Sequence, residues 1–397
     1  MKKLEKILTA LMLVLFGAAV AFVVTYTELT DSYSESLRAV SDSEIVSKTA
    51  ELESYIDKYF VGEADKTAMA DAAADAIVTA TGDRWSYYIS AADYESYLEQ
   101  MQNAYVGIGV TIQAAEDGSG YEIMEVTAGG PAEEAGVLPG DILTAVEGTP
   151  IAALEVTAVK NLVRGEAGTA VNLTLQRDGE ELQIAVERRQ IEQQAASGRM
   201  LEGSIGYVQI LNFDQNCAAH TIAATEDLIA QGATSLVFDV RNNPGGYKDE
   251  LVKVLDYLLP EGVLFRMVDY AGTETVDSSD ASYVDLPMTV LVNGDSYSAA
   301  EFFAAALQEY GAATVVGEKT CGKGYFQNTY RLSDGSAVAL SSGTYYTPNG
   351  VSLANVGVTP DQEIAMDEES YAKLYYGQLD DADDSQLQAA ITALQGK

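Results

Sequence analysis

Three apolar stretches in the second half of the chain narrow the choice of architecture. "GSIGYVQILNF" reads as a strand, and "TSLVFDVR" and "PMTVLVN", apolar at successive rather than alternate positions, read as strands buried on both faces. Between them, "CAAHTIAATEDLIAQG" and "YKDELVKVLDYLL" space their apolar residues as helices do. This alternation across residues 190–366 predicts βα units around a sheet covered by helices.

At 397 residues the chain exceeds one ordinary core, so further folded units are expected. Residues 27–103 read as mainly helical, through "SEIVSKTAELESYIDKYF" and "DKTAMADAAADAIVTAT", with "GDRWSYYIS" a turn that breaks the pattern at Gly82. A spacer and a dimerising or substrate-gating element fit that region equally. Residues 104–189 are rich in strand signals: "YVGIGVTI" around Gly107 and Gly109, a short helix opened by Pro131, and a hairpin "AVNLTLQRDGEELQIAVER" turning at Asp178-Gly179. Residues 367–397 form an acidic tail ending in a helix over 385–394.

The first 26 residues carry an address. Lys2, Lys3 and Lys6 precede the uncharged run "ILTALMLVLFGAAVAFVV", long enough to cross a bilayer as a helix. Basic residues stay on the cytoplasmic side, which places everything after Tyr26 outside. Ala19-Val20-Ala21 has the form of a signal-peptidase site, but the apolar run continues through Val24, so an uncleaved anchor is favoured over a cleaved signal. A net charge of −37 repels polyanions, and no basic stripe offsets it; nucleic acid is not expected as a partner. Two distant cysteines, Cys217 and Cys321, and the single His220 argue against a metal site. The cysteines are either free or joined in one disulfide, with free thiols favoured.

Chemistry concentrates in three turns. The strand "TVLVN" ends at Asn293, and the turn "GDSY" leads into a helix, which sets Ser298 at a helix amino terminus where amides and dipole favour developing negative charge. Serine there is either a nucleophile or an ordinary cap. A nucleophilic serine needs a base, and His220 opens an ordinary amphipathic helix with no active-site punctuation. Lysine is the substitute, because desolvation lowers its pKa from ~10.4 to about 7 or 8 and frees the amine. Lys323, between Gly322 and Gly324, has the setting that the solvated Lys319 lacks, and Gln327 is within reach to orient its amine. In "DVRNNPGGY", the amides of Gly245 and Gly246 lie at the carboxyl edge of the sheet and, with Ala299, could form an oxyanion hole.

Residues 104–189 resemble a PDZ domain in the permuted order found in bacterial proteases. That likeness implies that Tyr105, Val106, Gly107, Ile108, Gly109 and Val110 form the loop that takes a peptide's carboxyl terminus. Together with "DVRNNPGG", "VNGDSYSAAE", "GEKTCGKGYFQ" and "YYTPNG", the chain resembles the carboxyl-terminal processing peptidases. The resemblance implies an α+β multidomain chain: membrane helix and helical region, PDZ domain, and an α/β crotonase-like serine peptidase core. It implies Ser298 as nucleophile, Lys323 as general base and Gln327 as its orienting partner, with Glu301 and Glu309 structural. No cofactor is required, the partners are protein or peptide substrates with exposed carboxyl termini, and a homo-oligomer is left open. Two residues depart from the family pattern: Tyr297 beside the serine and Cys321 before Gly-Lys-Gly. The rival readings are an inactive PDZ scaffold on a peptidase-like body and, more remotely, an acyl-CoA enzyme.

Overall fold

The computed structural model describes residues 43–115 and 117–395. The apolar run at 7–24, and with it the expected membrane helix, lies outside the described residues. Among those described, no helix is long and apolar enough to cross a membrane. The chain divides into Met1–Gly82 and Asp83–Lys397.

In the first unit, helices α1 (Glu44–Tyr59) and α2 (Lys66–Thr79) are each opened by a side-chain cap. Asp65 accepts from Thr67 and Ala68 N–H, as the orphan donors of a first turn require. Lys66 reaches back to Glu53 and Asp57 of α1.

The second unit begins with a correction. "GDRWSYYIS" is not only a turn: Asp83 accepts from Trp85 N–H and the Ser86 hydroxyl, and the aromatic residues that follow form strand β1 (Tyr87–Ile89). Helix α3 (Tyr94–Met101) then leads to β2 (Ala104–Gly107). Next come β3 (Val110–Ala114), β4 (Tyr121–Val126), α4 (Pro131–Glu134), β5 (Ile142–Val146), β6 (Thr149–Pro150), α5 (Val156–Val163), β7 (Ala170–Arg177), β8 (Glu180–Glu187) and β9 (Arg189–Glu192). Strands β3, β4, β5, β7 and β8 pair in that order, with β6 on β5, while β2 pairs with β9. Asp178 and Gly179 both have positive φ, the backbone that a two-residue hairpin turn needs. Ile123, Leu143, Val159, Leu173 and Leu175 form this domain's own core.

The remaining elements are β10 (Ala196–Leu201), β11 (Ile205–Ile210), α6 (Cys217–Ala230), β12 (Ser235–Asp239), α7 (Lys248–Leu258), β13 (Gly262–Asp269), β14 (Glu274–Ser279), β15 (Met288–Val292), α8 (Ala299–Glu309), β16 (Ala313–Gly317), β17 (Tyr325–Arg331), β18 (Ala337–Tyr346), β19 (Gln362–Glu363), α9 (Glu368–Tyr375) and α10 (Ser385–Gln395). The central sheet runs β10-β11-β12-β15-β16-β19, parallel from β11 onward. Every residue of β12 and β15 is buried, because helices cover both faces. Leu236, Phe238, Val290 and Val292 pack with α6, α7 and α8, whereas Val237 and Leu291 pack with Leu387, Ala390 and Leu394 of α10. A second sheet, β1-β18-β13-β14 with β17 on β18, stands beside it.

The segment expected as an acidic tail therefore contributes part of the core. One of its aspartates answers a buried charge: Arg241, two residues past β12, pairs with Asp239 and with Asp384 at 2.8 Å, and donates to Gln386 Oε1 at 3.1 Å. Removing one partner of such a network leaves buried charge uncompensated. We expect Arg241→Met to destabilise the fold by about 3–5 kcal/mol, read as a lowered urea midpoint, because two carboxylates lose their counter-ion. An unchanged midpoint would show that the network carries no stability.

Candidate active site

The carboxyl ends of β12 and β15 are tied together by side chains. Asn293 Oδ1 accepts from Asn242 N–H at 3.0 Å while its Nδ2 donates to Asn242 Oδ1 at 2.7 Å. Buried Ser296 donates to the Val240 carbonyl at 2.7 Å and accepts from Asn293 N–H. This brace delivers Ser298 to the start of α8 with φ 60° and ψ −121°. A capping serine ordinarily has extended backbone with negative φ, so capping does not account for this conformation. Non-glycine residues held in such regions cost of order 1–3 kcal/mol and cluster at functional sites.

Gly245, φ +92°, passes directly behind the serine. A Cβ at that position would lie 2.7 Å from Ser298 Cβ and 2.8 Å from Ala299 N, so only glycine fits. Of the three amides considered for an oxyanion hole, Gly245 N–H is already committed to Asn243 Oδ1 at 2.8 Å. Gly246 and Ala299 N–H have no acceptor among the described residues.

Lys323 enters the same cleft, of about 1010 Å³, from the loop before β17. Its ammonium lies 5.1 Å from the centre of the Trp85 ring and 5.9 Å from that of Tyr297. Burial pushes its pKa down to about 8, against the opposing pull of Cys321, Glu301 and Asp83. No hydrogen bond joins Lys323 Nζ to Ser298 in this structure, although both line the cleft. Buried Tyr345 accepts from Gly324 N–H at 3.0 Å and lines the same cleft as Ser298. Burial raises the Tyr345 pKa, so its phenol keeps its proton.

Residues 204–364 match the profile of peptidase family S41, and residues 122–177 match a PDZ domain. Residues 204–364 are a peptidase family S41 domain. The chloroplastic carboxyl-terminal-processing peptidase 2 of Arabidopsis thaliana is 31% identical over 314 residues, covering 74% of this chain and 61% of its own length. A "Probable CtpA-like serine protease" of Staphylococcus aureus is 32% identical over 324 residues, covering 80% and 64%. This chain thus spans under two thirds of the length of those relatives. A protein described as an S41 protease from Bacteroides fragilis superposes with a TM-score of 0.52 at 18% identity, over 81% of this chain and 90% of that one, a likeness of fold.

Other residues of this chain stand in different places. Gln327 lines the cleft on β17, but its amide donates to Ser341 Oγ at 3.2 Å and the Tyr325 carbonyl at 3.3 Å, not to Lys323. The register shift between Phe326 and Gln327 turns it that way. His220 Nδ1 accepts from Ala195 N–H at 3.1 Å, a structural contact. Both cysteines are free thiols; Arg84, stacked on Trp85, donates to Cys321 Sγ at 3.0 Å, and burial pushes the Cys217 thiol up to about 12. Tyr105 to Val110 do not line the cleft; their carbonyls at Ile108 and Gly109 accept from Ala132 and Thr127 N–H, fixing the loop against α4.

Sequence reasoning missed Asp83, Trp85 and Tyr345, because nothing in "GDRWSYYIS" or the β18 pattern places them beside the lysine. It read Glu301 as structural, and the structure gives that word content. The buried carboxylate accepts from Ser298 N–H at 3.2 Å, Thr320 Oγ1 at 2.6 Å, Lys323 N–H at 2.9 Å and Gly322 N–H. Glu301→Gln cannot accept at all four positions. Hydrogen bonds to charged groups contribute ~1.5–3 kcal/mol, so amide exchange at Gly322 or Lys323 should accelerate by about tenfold or more. Unaltered protection at both amides would remove Glu301 from this role.

Proposed function

We propose that this chain is a membrane-anchored serine endopeptidase, acting outside the cytoplasm, that binds substrate carboxyl termini through its PDZ domain and cleaves with a Ser298/Lys323 dyad. The observation that carries the reading is a desolvated lysine facing the same cleft as a serine held in a left-handed backbone at a helix amino terminus. Lys323 Nζ, swung from the aromatic faces towards Ser298, takes the Oγ proton as Oγ attacks the peptide carbonyl. The oxyanion is received by the free Gly246 and Ala299 amides. The Lys323 ammonium then protonates the leaving amine; the neutral Lys323 amine next takes a proton from water as that water attacks the acyl carbon, and returns it to Ser298 Oγ as the acyl group departs. Gln327 orients the lysine once released from Ser341. The relatives' names support the reaction class, and the apolar run at 7–24 supports the anchor.

The unmade bond between Ser298 and Lys323 is the one observation that favours the scaffold reading, and activity separates the two. Ser298→Ala should lower kcat for an apolar-ended peptide by at least about 10³-fold with the fold intact, and retained hydrolysis would reject the dyad. Because the lysine pKa is lowered, the ammonium predominates below about 8 and the working amine above it. The rate should therefore be small in acid and climb through about pH 8 to a plateau; a profile already flat from pH 6 would rule out Lys323 as base.

A further inference from the structure

Asp214 is a buried acid in the cleft that the dyad does not use. It is 3% exposed, it lines the cleft, and its Oδ1 has no hydrogen-bond partner. Burial alone pushes its carboxyl up to about 7. An unpaired buried carboxylate costs several kcal/mol, a cost that a bound partner would offset.

The cleft's own cations do not supply that partner. Lys248 pairs with Asp249 and Asp277, Lys253 with Glu250, and Arg84 with Cys321, while Lys323 lies over Trp85. The neighbouring Tyr97 hydroxyl bonds Thr329 Oγ1 at 3.0 Å. The backbone around Asp214 is pinned on every side. Its N–H donates to Asn212 Oδ1, Phe213 N–H to the Gly245 carbonyl, and Gln215 N–H to the Met101 carbonyl. The backbone that carries the carboxylate is therefore fixed before any ligand arrives, a part of the preorganisation that a charge-recognition site needs.

Its position indicates which part of a peptide it meets. On one side, a Cβ at Gly246 would lie 2.6 Å from Asp214 N, so the backbone of Asp214 adjoins that of Gly246, and both residues line the cleft with Ser298. On the other, Met101 ends α3 and Asn103, which donates to the Gln215 carbonyl, opens the PDZ domain. A peptide whose terminus sits in that domain and whose carbonyl sits at Ser298 passes Asp214 with residues on the carboxyl side of the cut.

We propose that Asp214 is a specificity subsite for a lysine or arginine side chain on that stretch of the substrate, with the rings of Tyr87 and Tyr247 beside the cation. The inference rests on the peptidase reading for its direction along the peptide. An aromatic wall and an acid together suit a cation better than an uncharged donor.

The test uses the full chain and a peptide with an apolar carboxyl terminus, in which each position after the cut carries lysine, norleucine or glutamate in turn. At one position lysine should exceed norleucine in kcat/KM by about tenfold or more, the lower range for a hydrogen bond to a charged group, with glutamate poorest. Asp214→Asn, of equal size, should bring the lysine-to-norleucine ratio to about one, and Asp214→Lys should favour glutamate. No lysine preference at any position, or one that survives in Asp214→Asn, overturns the proposal, as does an equal gain from an uncharged donor such as glutamine. Fluorescence polarisation with Ser298→Ala protein reads the same ratio as binding. If no peptide is cut but that ratio responds to Asp214→Asn, the peptidase reading fails and the subsite stands.

Discussion

One buried carboxylate holds the site together. Glu301, in the first turn of α8, accepts from the backbone of Ser298 on its own helix and from Thr320, Gly322 and Lys323 on a loop about twenty residues further along. A carboxylate has about four lone-pair positions, and here each has a donor. That saturation makes its complete burial tolerable, and it converts one side chain into the ruler between the serine and the lysine. The negative charge also sits at a helix amino terminus, where the dipole favours it. Thr320 extends the brace, since its hydroxyl accepts from Val358 N–H at 2.7 Å while donating to Glu301.

Around this clamp, the parallel sheet supplies rigidity. Its strands end at one edge, where Asn242, Asn293 and Ser296 join the β12 and β15 turns, and those turns carry the glycines and the serine. The opposite face of the sheet is sealed by α10, and Asp384 just before that helix reaches the charge of Arg241, which lies between β12 and the PGG turn. Arg241 is only four residues from Gly245, so the last helix of the chain supports the wall of the cleft without touching it. Polar groups buried this fully stabilise only as a complete set, which is why the acidic residues before α10 belong to the fold rather than to a solvated tail.

Strands β12 and β15 could be read from sequence because burial on both faces leaves an uninterrupted apolar run, and the turns after them could be read from Pro, Gly and Asn. Strand β1 could not: "YYI" is three residues long and follows a turn, and its partner β18 lies some 250 positions away. The site follows the same division. Ser298, Lys323 and the glycines carry local punctuation, whereas the φ of Ser298, the turn of Gln327 towards Ser341 and the cover of Trp85 over Lys323 depend on contacts between distant segments. Asp214 was invisible for the same reason. In "FDQN" it precedes a helix as many capping acids do, and only the fold shows that its carboxylate lacks a partner.

The setting of Lys323 contains two opposed forces, and their balance explains why the lysine rests apart from the serine. Aromatic faces attract the ammonium, an interaction of ~0.5–2 kcal/mol that grows as water is excluded. The same exclusion of water penalises the charge, and the nearby acids Glu301 and Asp83 restore some of it. Burial prevails, so the pKa falls to about 8 and an appreciable fraction of the lysine is neutral near physiological pH. The neutral amine has little to gain from the rings of Trp85 and Tyr297. Losing the proton thus weakens the hold that keeps the side chain over those rings, and frees it to turn towards the hydroxyl of Ser298. On this argument Tyr297 affects the working pKa as well as the shape of the pocket: a smaller side chain there would admit water and raise it.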